Sequence, residues 1–175
     1  MQKEIKTDIY RMLHPKLTFF LTSISRDGRP NVMTCSWGVP VSMEPPMIIV
    51  CVAKEAYTAD LIREAREFSV CIPTKEQIEA LWSCGNVSGR DADKFRKAGL
   101  KPLRAKKIKS PLIEGCAGYL ECRLGRTVEA GECYAFFGKV LSASADERFF
   151  KKGLWTEEAE IPMHLGGGKM VYFRE

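Results

Sequence analysis

NVMTCSWGVPVSMEPP, residues 31–46, is the stretch on which the reading of the fold turns. It begins as a polar strand, breaks at Trp37-Gly38 and stops alternating before Pro40, so it cannot pair continuously along its length. Gly and Pro there leave backbone N–H and C=O groups turned away from a ladder and free for a partner. The apolar run MIIVCVA, residues 47–53, follows at once and reads as the next strand. Few residues of the stretch can act as acid or base. It is dense instead in small hydroxyls (Thr34, Ser36, Ser42) around one large aromatic, Trp37. A buried hydroxyl-rich backbone beside an aromatic suits a flat, polar-edged ligand that needs hydrogen bonds rather than a catalyst.

Working outward, LTFFLTSI (17–24) is β-branched and aromatic and reads as a buried strand. Asp27-Gly28 signals the hairpin that returns through residues 31–37. Residues 4–13 predict a short amphipathic helix with Ile5, Ile9, Tyr10 and Leu13 on one side, ended by His14-Pro15. Downstream the period changes: Tyr57, Leu61, Ile62, Ala65 and Phe68 share a helical face, and a strand follows over 68–73. Thr74 is the expected N-cap of a helix carrying Ile78, Leu81 and Trp82, stopped by Gly85. A further short helix is expected over 91–98, with Asp91 as N-cap and Gly99 as its end. Two long β patterns, 116–128 and 132–145, meet at Ala130-Gly131 as a hairpin, and the tail 162–173 carries Gly166, Gly167 and Gly168 as tight-turn glycines. Strands at both ends and helices in the middle predict a mainly β, single-domain antiparallel barrel with helical insertions rather than a doubly wound parallel sheet.

Composition narrows the class. With 175 residues, 45% hydrophobic and 28% charged, the chain reads as one ordinary soluble domain. No apolar run approaches the ~20 residues of a membrane helix, and the charged N-terminus lacks a signal-peptide centre. The expectation is a cytoplasmic protein with no membrane partner. Seven cysteines form no C-x-x-C pair and several sit in apolar strand-like runs, which favours structural thiols in a reducing compartment. Two histidines, His14 and His164, make no familiar zinc spacing. Much of the net charge of +5 is concentrated in KPLRAKKIK, 101–109, which lacks interleaved aromatics; a solvated loop or edge strand accounts for it, and nucleic acid is not expected.

The usual catalytic sets are missing: no G-x-S-x-G elbow, no G-x-x-x-x-G-K-[ST] loop and no G-x-G-x-x-G fingerprint. What remains is a site of hydroxyls, backbone and scattered cations built from three pieces. They are residues 31–37; residues 54–58, where Lys54, the Thr58 hydroxyl and free amides suit a phosphate; and Ser88-Gly89-Arg90 with Lys94 one turn on. Helix capping explains Asp91 but not the Ser-Gly-Arg run.

The run N31-x-M33-T34-x-S36-W37, then P40-V41-S42 and P45-P46, resembles the flavin reductase-like, FMN-binding split-barrel family of flavoredoxins and an archaeal ferric reductase. Y57-T58-x-x-L61-I62-R63-E64, F68-S69-V70-x-I72-P73 and C84-G85-x-x-S88-G89-R90-D91-x-D93-K94-F95 follow in the family's order. The resemblance implies a six-stranded antiparallel Greek-key split barrel, a homodimer, and non-covalent FMN. It carries the flavin segment onto Asn31, Met33, Thr34, Cys35, Ser36 and Trp37, and the phosphate segment onto Lys54, Tyr57 and Thr58. Ser88, Gly89 and Lys94 fall on the loop that also approaches the cofactor. Cys35 and Cys51 depart from the family's common pattern and are kept in the cofactor-binding set. His164 resembles a histidine near the flavin's open face in relatives. A flavin performs hydride and single-electron chemistry itself, which accounts for the lack of an acid–base constellation.

The expected function is an FMN-dependent oxidoreductase. It passes electrons from NAD(P)H, bound transiently, or from a redox protein to free flavin, ferric iron or another acceptor. The alternatives are a non-enzymatic FMN carrier or sensor, and a pyridoxamine phosphate oxidase-like or haem-handling split barrel.

Overall fold

Residues 30–42 fold as one strand broken in two, and residues 43–46 turn the chain into the next strand. The computed structural model describes residues 2–172, so Phe173 at the end of the glycine-containing tail lies outside the described residues. The barrel's first half contains β1 (Lys16–Leu17), β2 (Phe19–Ile24), β3 (Pro30–Cys35), β4 (Gly38–Ser42), β5 (Met47–Ala53), helix α1 (Tyr57–Ala65) and β6 (Glu67–Ile72). Helices α2 (Ile78–Gly85) and α3 (Lys94–Lys97) and the short strands β7 (Pro102–Leu103) and β8 (Leu112–Ile113) form an outer layer. Two long strands follow, β9 (Gly118–Ala130) and β10 (Cys133–Ala145), then β11 (Phe150–Lys151), β12 (Leu154–Trp155), β13 (Pro162–Gly166) and β14 (Lys169–Tyr172).

The main sheet is antiparallel throughout, in the order β3-β2-β6-β9-β10-β5-β4. Its two edges are consecutive in sequence. Cys35 of β3 lies opposite Phe19 of β2, and three residues on Gly38 of β4 lies opposite Val50 of β5. The Trp37 carbonyl, in the break, accepts the Cys51 N–H at 2.8 Å and so extends pairing to β5 across it. With β3 and β4 counted as one strand the sheet has six strands and closes, which removes its free edges. The α1 crossover from β5 to β6, and the return through the β9–β10 hairpin, give the Greek-key order.

Alternation sends neighbouring residues to two different cores. Phe19 and Leu21 point into the barrel with Val50, Phe68 and Phe136, and α1 closes that core with Ala59 and Ile62. Phe20 and Val32 point outward, under Leu81 of α2, Phe95 of α3 and Ile113 of β8. Strands β2 and β6 are therefore buried on both faces, which is why they read as continuous apolar runs rather than as alternation.

Several local expectations are corrected. Residues 4–8 are not helical; only Ile9–Leu13 turn, as a 3-10 helix with no buried residue, because little packs on the apolar face. The short helix begins at Lys94, and Asp93 rather than Asp91 caps it, accepting the Arg96 N–H at 3.0 Å. Thr74 precedes a 3-10 turn and makes no side-chain cap bond. The basic run is the solvated loop expected, with one short strand pair. Its backbone is pinned by two carboxylates: Glu121 accepts the N–H groups of Lys106 and Lys107, and Glu67 those of Lys109 and Ser110. All three tail glycines have positive φ; Gly166 ends β13 opposite Lys169, and Gly167 and Gly168 form the β13–β14 turn.

Gly38 marks how tightly the break is built. A Cβ there would lie 2.8 Å from Cζ of the buried Phe19 ring and 3.2 Å from the Ile49 carbonyl. Gly38→Ala is expected to destabilise the fold by about 1–3 kcal/mol through overpacking, measured by urea unfolding; a change within error would mean that the break does not depend on this approach.

Candidate functional site

A cavity of about 330 Å³ opens where the start of α1, the middle of β3, the end of α2, the 86–90 loop and the first residue of α3 meet. Two of its features come directly from residue choice. The residue preceding α1 is Ala56, which has no side-chain acceptor, so no side chain caps the helix. The first amides of α1 face the cavity mouth with the helix's positive end behind them. The second is Lys94, only 6% exposed although it is an ammonium-bearing side chain on a four-residue helix.

The hydrogen-bond network beneath the cavity sets the direction of its donors. Asn31 is buried in β3 and donates from Nδ2 to Ser23 Oγ at 3.1 Å and to Thr58 Oγ1 at 2.9 Å. Having accepted from Asn31, the Thr58 hydroxyl keeps its own proton to donate toward the cavity. Asn31 is thus a positioning residue for Thr58. Gly89 sits against this pair: a Cβ there would lie 2.0 Å from Asn31 Oδ1 and 2.9 Å from Tyr57 Cδ1, so any side chain would push the loop off the helix start. Ser88 Oγ accepts the Arg90 N–H at 3.2 Å, and Arg90 donates to the Glu55 carbonyl at 2.9 Å and to Asp60 at 2.5 Å. These bonds fix the 88–90 loop to the start of α1.

Burial lowers the Lys94 pKa, and Cys84 beside it pulls the other way. The Cys84 thiol is itself pushed up to about 11 by burial, so at neutral pH it is protonated and is no counter-ion for Lys94. Among the described residues no carboxylate pairs with Lys94. The cavity therefore has amide, hydroxyl and ammonium donors at its α1 and α3 side. Its α2 end holds the carbonyl-bearing C-terminus, where Thr34 Oγ1 donates to the Leu81 carbonyl at 2.5 Å. Such a site takes an anion at one end and donor hydroxyls at the other.

Past the strand break lies a second, more apolar groove of about 600 Å³, walled by Ser36, Trp37, Cys51, Lys16 and Ile49. Trp37 is 39% exposed, with Lys16 Nζ 4.7 Å from its ring centroid and the Tyr10 ring at 5.7 Å. Ser36 Oγ and Thr18 Oγ1 are 3.1 Å apart. Thr34 and Ser36 are two residues apart on one strand path, one in the wall of each hollow or beside it.

The sequence-selected residues thus divide. Met33, Thr34, Tyr57, Thr58, Ser88, Gly89 and Lys94 line the first cavity, with Asn31 behind it. Ser36, Trp37 and Cys51 line the groove. Cys35 is buried between them, its thiol pushed up to about 12 by burial, and lines neither. Lys54 lies elsewhere: its Nζ bonds Glu129 at 2.8 Å beside the Tyr134 ring. His164, in β13, stands across from Lys16, with its ring centroid 5.1 Å from that of His14 and its pKa lowered by burial, then by His14, Arg11 and Lys16. Sequence reasoning placed Arg90 in the Ser88-Gly89-Arg90 loop and Ala56 inside the 54–58 segment without giving either a role of its own, and did not select Lys16. Of these, only an alanine at a helix N-cap carried a usable signal, as a position where capping is forgone.

The family model described as the flavin reductase like domain matches residues 11–170. The chain is 36% identical over 167 residues to the uncharacterized protein YddH of Escherichia coli, covering 92% of this chain and 88% of that one. It is 29% identical over 134 residues to the reductase subunit HsaB of a flavin-dependent monooxygenase of Rhodococcus jostii, covering 74% and 66%. Its fold superposes on the flavoredoxin of Desulfovibrio vulgaris with a TM-score of 0.88 at 25% identity, over 100% of this chain and 94% of the other. The motif order, the closed barrel and the matched span agree, and the chain belongs to the flavin reductase-like family.

Proposed function

We propose that the chain is an FMN-binding oxidoreductase that passes electrons from a reduced nicotinamide or a redox protein to free flavin, ferric iron or another acceptor. The observation that carries this is Lys94: a buried ammonium, without a carboxylate partner among the described residues, beside uncapped helix amides. An isolated buried charge is costly unless met by an opposite one. A phosphate monoester supplies that charge, with Thr58, Ser88 and the first amides of α1 as further donors. The carbonyls at the end of α2 suit the hydroxyls of a ribityl chain.

The ring system belongs along the β3–β4 break, toward the groove that holds Ser36, Trp37 and Cys51. There Trp37 offers an aromatic wall, and Lys16 a cation able to favour negative charge on the reduced ring. Bound FMN supplies the hydride and single-electron chemistry. The chain's own part is to bind the phosphate, to orient Thr58 through Asn31, and to exclude water along the break. The exposed apolar side chains Leu17, Val39, Val41 and Met43 beside the groove support a homodimer that covers it. The likeness to a flavoredoxin supports the alternative, electron carriage without turnover. Steady-state oxidation of NADH and NADPH in the presence of free FMN or a ferric chelate separates the two; no oxidation with either acceptor would leave carriage.

Two outcomes are expected from the phosphate site. Lys94→Met removes a bond worth about 1.5–3 kcal/mol, so FMN affinity falls by roughly 10- to 150-fold. The variant's apo form is as stable as the parent or more so, because a buried charge is gone; calorimetric titration and thermal unfolding check both. The pH profile follows from the sign of the Lys94 shift. FMN affinity rises as the phosphate loses its second proton near ~6, then falls as pH climbs through the lowered Lys94 pKa, since the neutral amine cannot pair with phosphate. Lys94→Met abolishes only the alkaline fall. A profile unchanged by the substitution would remove Lys94 from the site.

A further inference from the structure

The N-terminal strap, residues 8–17, walls one side of the apolar groove. Leu13, Pro15, Lys16 and Leu17 line it, and the Tyr10 ring lies 5.7 Å from that of Trp37. Apolar burial does little to hold the strap there. The 3-10 turn Ile9–Leu13 has no buried residue, and β1 brings only two residues to β13. The turn is joined to the β13–β14 hairpin through His14 instead. That ring stands 5.1 Å from the His164 ring and 6.0 Å from Tyr10, and a Cβ on Gly166 would lie 3.3 Å from its Nδ1. Both ring nitrogens of His14 are shielded from water, and neither has a hydrogen-bond partner among the described residues.

We propose that the His14–His164 contact is a latch released by protons: it holds the strap against Trp37 while both imidazoles are neutral, and the strap loosens when either gains a proton. A buried neutral imidazole without partners is already costly. The imidazolium adds a charge and a second N–H donor, and the contact supplies an acceptor for neither. The charges around the pair deepen that cost. Arg11 belongs to the turn, Lys16 stands opposite His164 in the β1–β13 register, and Lys169 lies opposite Gly166 across the hairpin turn. Asp8 is committed to Arg11 at 3.2 Å, and among the described residues no carboxylate pairs with either imidazole. His164 is accordingly held below the usual imidazole range, by burial first and then by His14, Arg11 and Lys16. In the loosened strap the rings are hydrated and titrate near ~6.5. The closed strap is therefore fully stable above that value and loses stability as pH falls from there toward the lowered one. The latch stands on the histidine pair alone and does not depend on the flavin reading.

The test is amide hydrogen exchange of the full chain, read by NMR at about pH 7.5 and about pH 5.5 and corrected for the intrinsic rate at each. The reporters are the strap amides of Arg11, His14 and Thr18, which donate to the carbonyls of Asp8, Arg11 and Pro162. Their protection is expected to fall about 10-fold between the two conditions, since opening takes up one proton over roughly one pH unit, while β2 and β6 keep theirs. His14→Phe combined with His164→Phe keeps two rings but no titrating nitrogen, and should hold the strap equally at both pH values. The chain has two histidines, so the His164 ring-proton signal of the parent can also be followed directly, and it should titrate below the ordinary imidazole value. Strap protection independent of pH, a loss that survives the double substitution or extends equally to β2 and β6, or a His164 titration at the ordinary value would each overturn the latch.

Discussion

One strand that pairs with two different neighbours holds this barrel closed. β3 needs β2 and β4 needs β5, and the change of partner takes place within Ser36-Trp37. Closure leaves a short stretch of strand whose side chains and backbone are not all spent on the ladder. Everything assigned to ligand binding lies around that discontinuity. The cavity adjoins its N-terminal half, the groove its C-terminal half, and Cys35 seals the interior between them. The rest of the chain supports the break by packing: the barrel core under Phe19 and Leu21, and α2 and α3 over Phe20 and Val32.

The electrostatics of the cavity are equally economical. Three residues pre-orient it without touching a ligand's reactive atoms. Asn31 sets the direction of the Thr58 hydroxyl, Gly89 lets the loop lie against Asn31, and Arg90 ties the loop to the start of α1. Against that rigid setting Lys94 is the one buried cation among the described residues. Its burial destabilises the charge in the empty cavity, and an anionic ligand reverses that penalty, so the same feature that costs stability supplies affinity.

Much of this was legible in the sequence, for identifiable reasons. β5 occupies the run 47–53 that composition marks as a strand, and α1 follows the 57–65 periodicity, because each buries its apolar face as the pattern demands. The six-strand closure was what the family resemblance implied, whereas the break at Trp37-Gly38 by itself signalled only a strand that cannot pair continuously. What could not be read were features decided by distant partners. Lys54 stands next to α1 in sequence, yet Glu129, far along the chain, holds it away from the cavity. His164 lies across from Lys16 with its ring beside that of His14, a pairing of two distant strands that the sequence alone does not display. The N-terminal amphipathic pattern did not become an α-helix because too little packs against it. The cap of α3 moved from Asp91 to Asp93, a two-residue choice between equivalent side chains that only local geometry decides.

The central claim, that this cavity and strand break hold one flavin by its phosphate and ring, is tested most directly by the visible spectrum of the purified chain, with the released cofactor identified by mass. The account predicts a yellow protein that yields one flavin phosphate ester per chain on heating, or takes up one when supplied. A colourless protein that binds neither FMN nor FAD would contradict it and leave the barrel without the ligand its buried ammonium requires.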